Sequence, residues 1–265
     1  MVIYDNINRR HQVWQAKLGQ VWEQLNGTAP FVVLLSGGDA KHFDATPVEQ
    51  ARRENRRLAL TTDALRDSID FTHQRSIMAN HVLLFLFSWV PSLSRHKERV
   101  YDTFRTTLAK RRIPPGRKTE IFPLGTSALN EATTAGTQDV INDIFIDQLG
   151  MKPEDVSAQL RLVGGDQLTV ARIRGLQNYL ASCPHGYAAL KWIIPLVLVW
   201  HMGWADLARV ISTHYGRNAA GDPSTFKHVN VLLKRRVKDE DRPDFYPALK
   251  LVSETLKADT LNCWM

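Results

Sequence analysis

The sequence predicts an α/β fold in which a mixed sheet is flanked by helices and interrupted by a large helical insertion. Short apolar runs at residues 2–7, 31–35 and 160–165 have the length of strands, and they alternate with segments whose apolar residues recur every three or four positions. An Ile-Pro-Pro-Gly break at 113–116 separates a mostly helical stretch from the later strands. Of the 265 residues, 44% are hydrophobic and 23% are charged, so the chain can bury a core of this kind.

The first strand is expected at residues 2–7, where Asp5 and Asn6 interrupt the apolar run and lead into a turn. Residues 9–25 carry apolar side chains at helical intervals, which predicts an amphipathic helix. An Asn-Gly turn at 26–27 and a buried strand at 31–35 follow.

Residues 46–118 are interpreted as the helical insertion. Pro47 suits the first turn of a helix that Thr46 caps, and further helices are expected at 61–69, 75–89 and 94–112. The whole chain, 1–265, is taken as a single domain that contains this insertion and ends in a helical extension at 222–265.

After the break, the elements are expected to alternate. The predicted strands are 120–124, 160–165 and a strand within the apolar run 190–200, and the predicted helices are 137–149, 169–181 and 201–215. Gly150 supplies a C-terminal stop for the first of these helices.

The charge balance favours a polyanionic partner, although many basic proteins bind no nucleic acid. Lysine and arginine number 34 against 27 acidic residues, which gives a net charge of +7 and a pI near 9.5. Cys183 and Cys263 are the two cysteines, so a zinc site or a disulfide framework is not expected. No apolar run approaches the roughly 20 residues of a membrane span, and the start lacks a signal-peptide layout, so a soluble intracellular protein is predicted. The abrupt ends predict that the chain is a fragment.

Two aspartates stand out because each follows a predicted strand. Asp166 comes after a strand that ends in Gly164 and Gly165, and ligand sites of open α/β sheets gather at such strand ends. The simpler interpretation is that Asp166 caps the helix that follows it. For Asp5, the simpler interpretation is a turn stabilised by its own side chain.

Taken together, the two aspartates predict a metal site if their strands are neighbours. Paired carboxylates on a first strand and on a later parallel strand are the layout of ribonuclease H, in which two Mg²⁺ ions act on a phosphodiester. Hard oxygen ligands suit Mg²⁺, or Mn²⁺ in its place. A third carboxylate normally completes such a site.

Other residues are weaker candidates. His201 closes an apolar run, where a structural role is more common than ligation. Asp206 lies five residues later in the same predicted helix, and it either faces the strand ends or favours the helix N-terminus. Glu131 lies in a polar loop, where solvent exposure or helix capping are the simpler interpretations.

Basic clusters supply candidates for contact with nucleic acid. Arg172 and Arg174 lie one to two turns beyond Asp166, where one of them can point towards the site. Lys234, Arg235 and Arg236 form a second cluster, for which a solvated surface is the alternative.

Several of these segments together resemble a family. The chain is similar to a large uncharacterised family of mushroom-forming fungi, which carries a domain-of-unknown-function label and has expanded as mobile elements do. The resemblance spans nearly the whole chain, and it rests on Tyr4-Asp5-Asn6-Ile7-Asn8, Asn26-Gly27-Thr28-Ala29, Phe122-Pro123-Leu124 with Glu131 and Gly136, Gly165-Asp166-Gln167-Leu168-Thr169 with Arg172 and Arg174, His201, and Asp244-Phe245-Tyr246.

That family in turn resembles cut-and-paste transposases with a ribonuclease-H-like core, of the Kyakuja, Dileera, Zisupton and hAT kinds. The resemblance implies a ribonuclease-H-like sheet, Mg²⁺ or Mn²⁺ as cofactor, DNA as substrate and a nuclear location. It implies that Asp5 and Asp166 are the first two acidic ligands and that His201 is the histidine after the fifth strand. Members extend beyond both ends of this chain, and no glutamate clearly fills the third acidic position.

Glu131 and Asp206 are the candidates for the third acidic position, and Glu254 is a more distant candidate. The function expected is therefore metal-dependent cleavage or strand transfer on DNA, with present activity left open. The alternative is a domesticated module that binds DNA or protein without catalysis, and a further one is a helical interaction protein whose aspartates only cap helices.

Overall fold

A computed structural model describes residues 1–11, 23–110, 112–183, 186–216, 221–237 and 241–264. The chain divides into two compact units. The first unit consists of Met1–Arg57 and Ile113–His201, and the second consists of Leu58–Arg112 and Met202–Met265. The expected single domain with an insertion at 46–118 and an extension at 222–265 stays a prediction.

The first unit contains a mixed five-stranded sheet, so the expected α/β class is confirmed. The strands are β1 (Val2–His11), β2 (Glu23–Val33), β3 (Ile121–Pro123), β4 (Arg161–Gly165) and β5 (Ile193–Val197). Their order across the sheet is β3-β2-β1-β4-β5. The β1–β2 and β2–β3 pairs are antiparallel, whereas β1–β4 and β4–β5 are parallel.

The long β1–β2 pairing corrects two expectations. It runs without interruption from Val2 opposite Val32 to His11 opposite Glu23, so the ends of the predicted helix 9–25 are strand. The middle of that predicted helix, 12–22, lies outside the described residues. The Asn-Gly pair at 26–27 lies within β2 and makes no turn. The backbone of Ser127 approaches Gly27 closely, and a Cβ there would lie 2.7 Å from the Ser127 carbonyl oxygen.

The first unit also contains four α-helices among its described residues. They are α1 (Thr46–Arg53), α5 (Thr134–Asn142), α6 (Pro153–Ser157) and α7 (Gln167–Tyr179), and a π-helical segment (Asp143–Gln148) extends α5. Gly150, with φ of 61°, ends that extension as expected. The core joins Val2 and Tyr4 of β1 to buried side chains of α5, α7 and β5, including Val140, Ile141, Ile173 and Ile193. Burying each aliphatic side chain of this size contributes roughly 1.5–3 kcal/mol.

The second unit is helical in its described residues. Its helices are α2 (Thr62–Asp67), α3 (Phe71–Trp89), α4 (Lys97–Arg105), most of α8 (Val199–His214), α9 (Phe226–Leu232) and α10 (Phe245–Asn262). Buried residues from α8 and α10 form a small core that includes Leu207, Ile211, Ala248 and Leu251. None of the helices in the described part of the chain is long and apolar enough to cross a lipid bilayer.

Two expected helix boundaries are wrong. Thr46 is the first residue of α1, and Ala45 precedes it without a capping side chain. The helix expected at 94–112 is shorter because a 3₁₀ segment occupies Pro91–His96 and α4 ends at Arg105. Both differences come from local turns that apolar periodicity does not register.

Candidate active site

Asp5 and Asp166 belong to neighbouring strands of the sheet: Asp5 lies in β1, and Asp166 directly follows β4. The parallel pairing of β1 with β4 sets Val2 beside Val163 and Ile3 beside Gly164. Asp5 and Asp166 each lie two residues beyond the last pair of that register. Asp5 is not at the end of its strand as expected, because the antiparallel partner β2 carries β1 on to His11.

Asp166 caps α7, as the simpler interpretation predicts. Its Oδ1 accepts a hydrogen bond of 2.6 Å from the backbone N–H of Thr169. The cap fixes the carboxylate at the strand-to-helix turn and commits one of its oxygens. Its other oxygen, Oδ2, is the atom with which Asp166 would ligate a cation.

Asp5 is the exposed carboxylate of the site, with 58% of its side chain accessible. Its Oδ1 accepts a hydrogen bond of 2.8 Å from the backbone N–H of Asn6, which is the local turn-like contact expected for this residue. Its Oδ2 lies 3.9 Å from Nε2 of His201, and the two form an ion pair when the imidazole is protonated. His201 also packs edge-on against Trp200, with ring centroids 4.8 Å apart.

Glu131 is buried, which overturns the expectation of a solvent-exposed loop residue. Only 1% of it is accessible. Its Oε1 accepts a hydrogen bond of 2.5 Å from Asn6 Nδ2 and one of 3.0 Å from the Thr169 hydroxyl, and it lies 3.4 Å from Nη1 of Arg172. Burial raises the pKa of Glu131, the Thr169 hydroxyl and Arg172 oppose that rise, and the charges of Asp166 and Asp5 add to it.

Side-chain hydroxyls hold the backbone of the loop that carries Glu131. Thr28 of β2 donates a hydrogen bond of 2.8 Å to the Leu129 carbonyl, and the Thr137 hydroxyl donates one of 3.1 Å to the carbonyl of Glu131. Gly136 passes so close to the loop that a Cβ on it would lie 1.9 Å from the Asn130 carbonyl oxygen. The position of Glu131 is therefore fixed by the fold and does not depend on its own ion pair.

Tyr4 places a hydroxyl beneath this network. The residue is fully buried, and its hydroxyl has no hydrogen-bond partner among the described residues. Burial raises the pKa of Tyr4 far above its ordinary value, and the charges of Glu131 and Asp166 raise it further while Arg172 lowers it. Tyr4 thus stays neutral and contributes a polar atom without a charge.

Strand alternation divides the site between two faces of the sheet. Tyr4 and Asn6 share one face of β1, where Tyr4 joins the core and Asn6 meets Glu131, and Asp5 points to the opposite face, towards His201. Asp166 lies at the strand end between the two. Among the described residues, no three His, Cys, Asp or Glu side chains are arranged to hold a metal ion, which agrees with this division.

The double glycine before Asp166 makes room for side chains. A Cβ on Gly164 would lie 2.9 Å from Leu198 and 3.2 Å from Ile3, and a Cβ on Gly165 would lie 2.5 Å from Thr169. The observed role of these glycines is to let α7 begin close against the sheet.

The remaining candidates have different surroundings. Asp206 is exposed in the second unit and pairs with Arg209 at 2.8 Å. Arg172 reaches Glu131, whereas Arg174 is exposed on another side of α7. In the second unit Arg235 forms a two-pronged ion pair with Glu254, at 2.6–3.0 Å, while Lys234 and Arg236 are exposed. Glu254 is therefore committed to Arg235.

The roles of Tyr4, Asn6 and Thr169 around Glu131 were not predicted from the sequence. Thr169 had a detectable signal, since Asp166-Gln167-Leu168-Thr169 is the spacing of a helix cap, and a capped first turn points the Thr169 backbone at the aspartate. Asn6 had none, because its partner Glu131 is 125 residues away.

Fold and site together define a mixed α/β protein in which a buried glutamate, Glu131, links β1 to α7, with Asp5 in β1 and Asp166 at the start of α7. The chain belongs to a family of unknown function, DUF6589, whose model matches residues 53–265. The match includes Glu131, Asp166 and His201, and it begins after Asp5. No curated protein and no solved structure matches the chain.

Proposed function

We propose that this protein is a transposase- or integrase-derived domain that cleaves or transfers DNA phosphodiesters with Mg²⁺ or Mn²⁺. The observation that carries the proposal is the parallel pairing of β1 with β4, because it makes the strand that holds Asp5 the neighbour of the strand that Asp166 follows. Descent from a fungal mobile element and a nuclear location, where the DNA is, belong to the same proposal.

The topology of the sheet supports a ribonuclease-H-like assignment. The order β3-β2-β1-β4-β5, with three antiparallel strands followed by two parallel ones, is the arrangement expected of that fold. In that arrangement the first and fourth strands are neighbours, so their carboxylates share one site. The net charge of +7 supports a polyanionic substrate.

The donor set fits a hard cation that keeps water and phosphate oxygens among its ligands. Asp5 and Asp166 each have one carboxylate oxygen bound to a backbone N–H and a second for ligation. Mg²⁺ is commonly held by one or two protein carboxylates together with substrate phosphates. A bound cation would supply Lewis-acid stabilisation of charge on the phosphate.

Three further residues surround the two aspartates or position the elements that carry them. His201 lies within ion-pair distance of Asp5, where its imidazole can orient that carboxylate. Glu131 holds Arg172 and Asn6 in place from the opposite face of the sheet, and so it acts as a positioning residue. Arg172, one-fifth accessible, is the cation beside Glu131 through which phosphate can be contacted.

The test is cleavage of labelled duplex DNA by the full chain with Mg²⁺ or Mn²⁺. Asp5→Asn and Asp166→Asn should each reduce cleavage at least about 100-fold, in the range typical of lost catalytic groups. Asparagine can still cap α7, so Asp166→Asn should fold. Asp39→Asn is the matched control, because Asp39 is another helix-capping aspartate of the same unit. Cleavage that persists in both site variants would refute the proposal.

One observation favours a second candidate, a domain that binds DNA without cutting it. The described residues hold no cluster of three side chains that could bind a metal ion, and Glu131 is committed to Asn6, Thr169 and Arg172. This candidate predicts salt-dependent DNA binding that is the same in wild type and Asp166→Asn, with no cleavage in any metal.

A further inference from the structure

A basic groove lies in the second unit. The turn after α9 contributes Lys234, Arg235 and Arg236, and the start of α10 contributes Tyr246, Pro247 and Lys250. These six residues enclose an open groove of about 400 Å³. Tyr246 is 76% exposed, so its ring is accessible at the groove.

The turn that carries the three basic residues is fixed by a buried side chain. Lys234 has φ of 50°, which reverses the chain after α9. The buried Asn230 then spans the turn: its Nδ2 donates to the Val237 carbonyl at 3.1 Å, its Oδ1 accepts from the Val237 N–H at 3.3 Å, and its own carbonyl accepts from the Arg235 N–H at 2.8 Å. The groove is therefore built into the fold.

The charges of the groove are unbalanced. Glu254 binds Arg235 in a two-pronged ion pair, which neutralises and orients that guanidinium. Lys234, Arg236 and Lys250 are exposed, so the described residues that line the groove carry an excess of positive charge. A groove of this kind attracts a polyanion.

We propose that this groove binds single-stranded nucleic acid, with phosphates on Lys234, Arg236 and Lys250 and a base stacked on Tyr246. Basic grooves with accessible aromatic rings are the usual design of single-strand sites, because every unpaired base offers a face for stacking. A duplex hides those faces in its base stack, so the exposed ring favours an unpaired strand. The inference shares only its nucleic-acid partner with the proposed function, since none of these residues belongs to the Asp5–Asp166 site.

The experiment measures fluorescence anisotropy of a labelled oligothymidylate with the full-length chain in EDTA. Wild type should bind, and Tyr246→Ala should bind about tenfold more weakly, the loss of one stacked base. Tyr246→Phe should retain wild-type affinity, because it keeps the ring. Tyr179→Ala, which removes an 80% exposed tyrosine of α7, is the matched control and should change nothing.

A second pair of variants tests the phosphate contacts. Lys234→Gln with Arg236→Gln should lower the slope of log affinity against log salt by about 0.7 for each cation removed. Arg75→Gln with Arg99→Gln makes the same change of charge at exposed positions of the same unit and should leave the slope unchanged.

Several results would overturn the inference. The first is equal affinity of Tyr246→Ala and wild type for the oligonucleotide. The second is an equal decrease of the salt slope in the two double variants. The third is binding to phosphatidylserine vesicles or to a phosphopeptide without binding to the oligonucleotide. The assay contains EDTA, which removes the metal that cleavage requires, so failure of the groove is distinguishable from failure of the proposed metal site.

Discussion

At the scale of single residues, Glu131 is the group whose surroundings determine most about the site. Its carboxylate is buried, and it binds Asn6 from β1 together with Thr169 and Arg172 from α7. It thus ties the strand that carries Asp5 to the helix that Asp166 caps. A buried charge with incomplete compensation has a raised pKa, as Glu131 does.

The raised pKa predicts a pH dependence of stability. Between the ordinary and the raised pKa, Glu131 is ionised in the unfolded chain but protonated in the folded one, so unfolding releases a proton there. The free energy of unfolding should therefore be at its full value below the ordinary pKa and fall as the pH rises through the raised one.

Urea denaturation at a series of pH values measures this effect. In Glu131→Gln the part of the fall that Glu131 causes should be absent, and the control Glu120→Gln, at an exposed position, accounts for removing a carboxylate as such. If the free energy of unfolding fell equally with pH in wild type and Glu131→Gln, the raised pKa of Glu131 would be contradicted.

At the scale of elements, the loop that precedes α5 and the start of α7 are held by close contacts that require small residues. Gly136 lies against the Asn130 carbonyl, and Gly165 lies against Thr169. Gly175, within α7, differs because nothing lies within 4 Å of where its Cβ would be.

These glycines should respond to alanine in opposite directions. Gly136→Ala should destabilise the protein by about 1–3 kcal/mol, because the methyl group collides with a backbone oxygen and the loop must shift. Gly175→Ala should stabilise it by about 0.5–1 kcal/mol, because alanine lowers the entropy that the unfolded chain gains. Chemical denaturation measures both changes, and a stabilising Gly136→Ala would show that the loop is not held as described.

The sequence predicts those elements whose sequence patterns lie within the element itself. The strand before Asp166 and the helices α3, α7 and α8 were predicted, because apolar runs and helical periodicity lie within each segment. The extent of the β1–β2 pairing was not, because it depends on contacts across the sheet. Gly27 looked like a turn residue, whereas the reason for a glycine there is the backbone of Ser127, one hundred positions later.

At the scale of the whole molecule, the order of the strands creates the site. Asp5 and Asp166 are far apart in the chain, and only the pairing of β1 with β4 makes their strands neighbours. The sequence marked both residues by their strand-end patterns, but it could not fix the register between the strands. It also could not show that Glu131 and Asp5 point to opposite faces, since that depends on the parity of the pairing.

The central claim is that these two carboxylates together hold a divalent cation. Titration of Mn²⁺ followed by electron paramagnetic resonance, in which free Mn²⁺ gives the signal, tests it without DNA. Wild type and the capping control Asp39→Asn should bind alike, whereas Asp5→Asn and Asp166→Asn should each lose at least about tenfold in affinity, since even indirect metal partners are worth that much. Equal Mn²⁺ binding by wild type and both site variants would contradict the account.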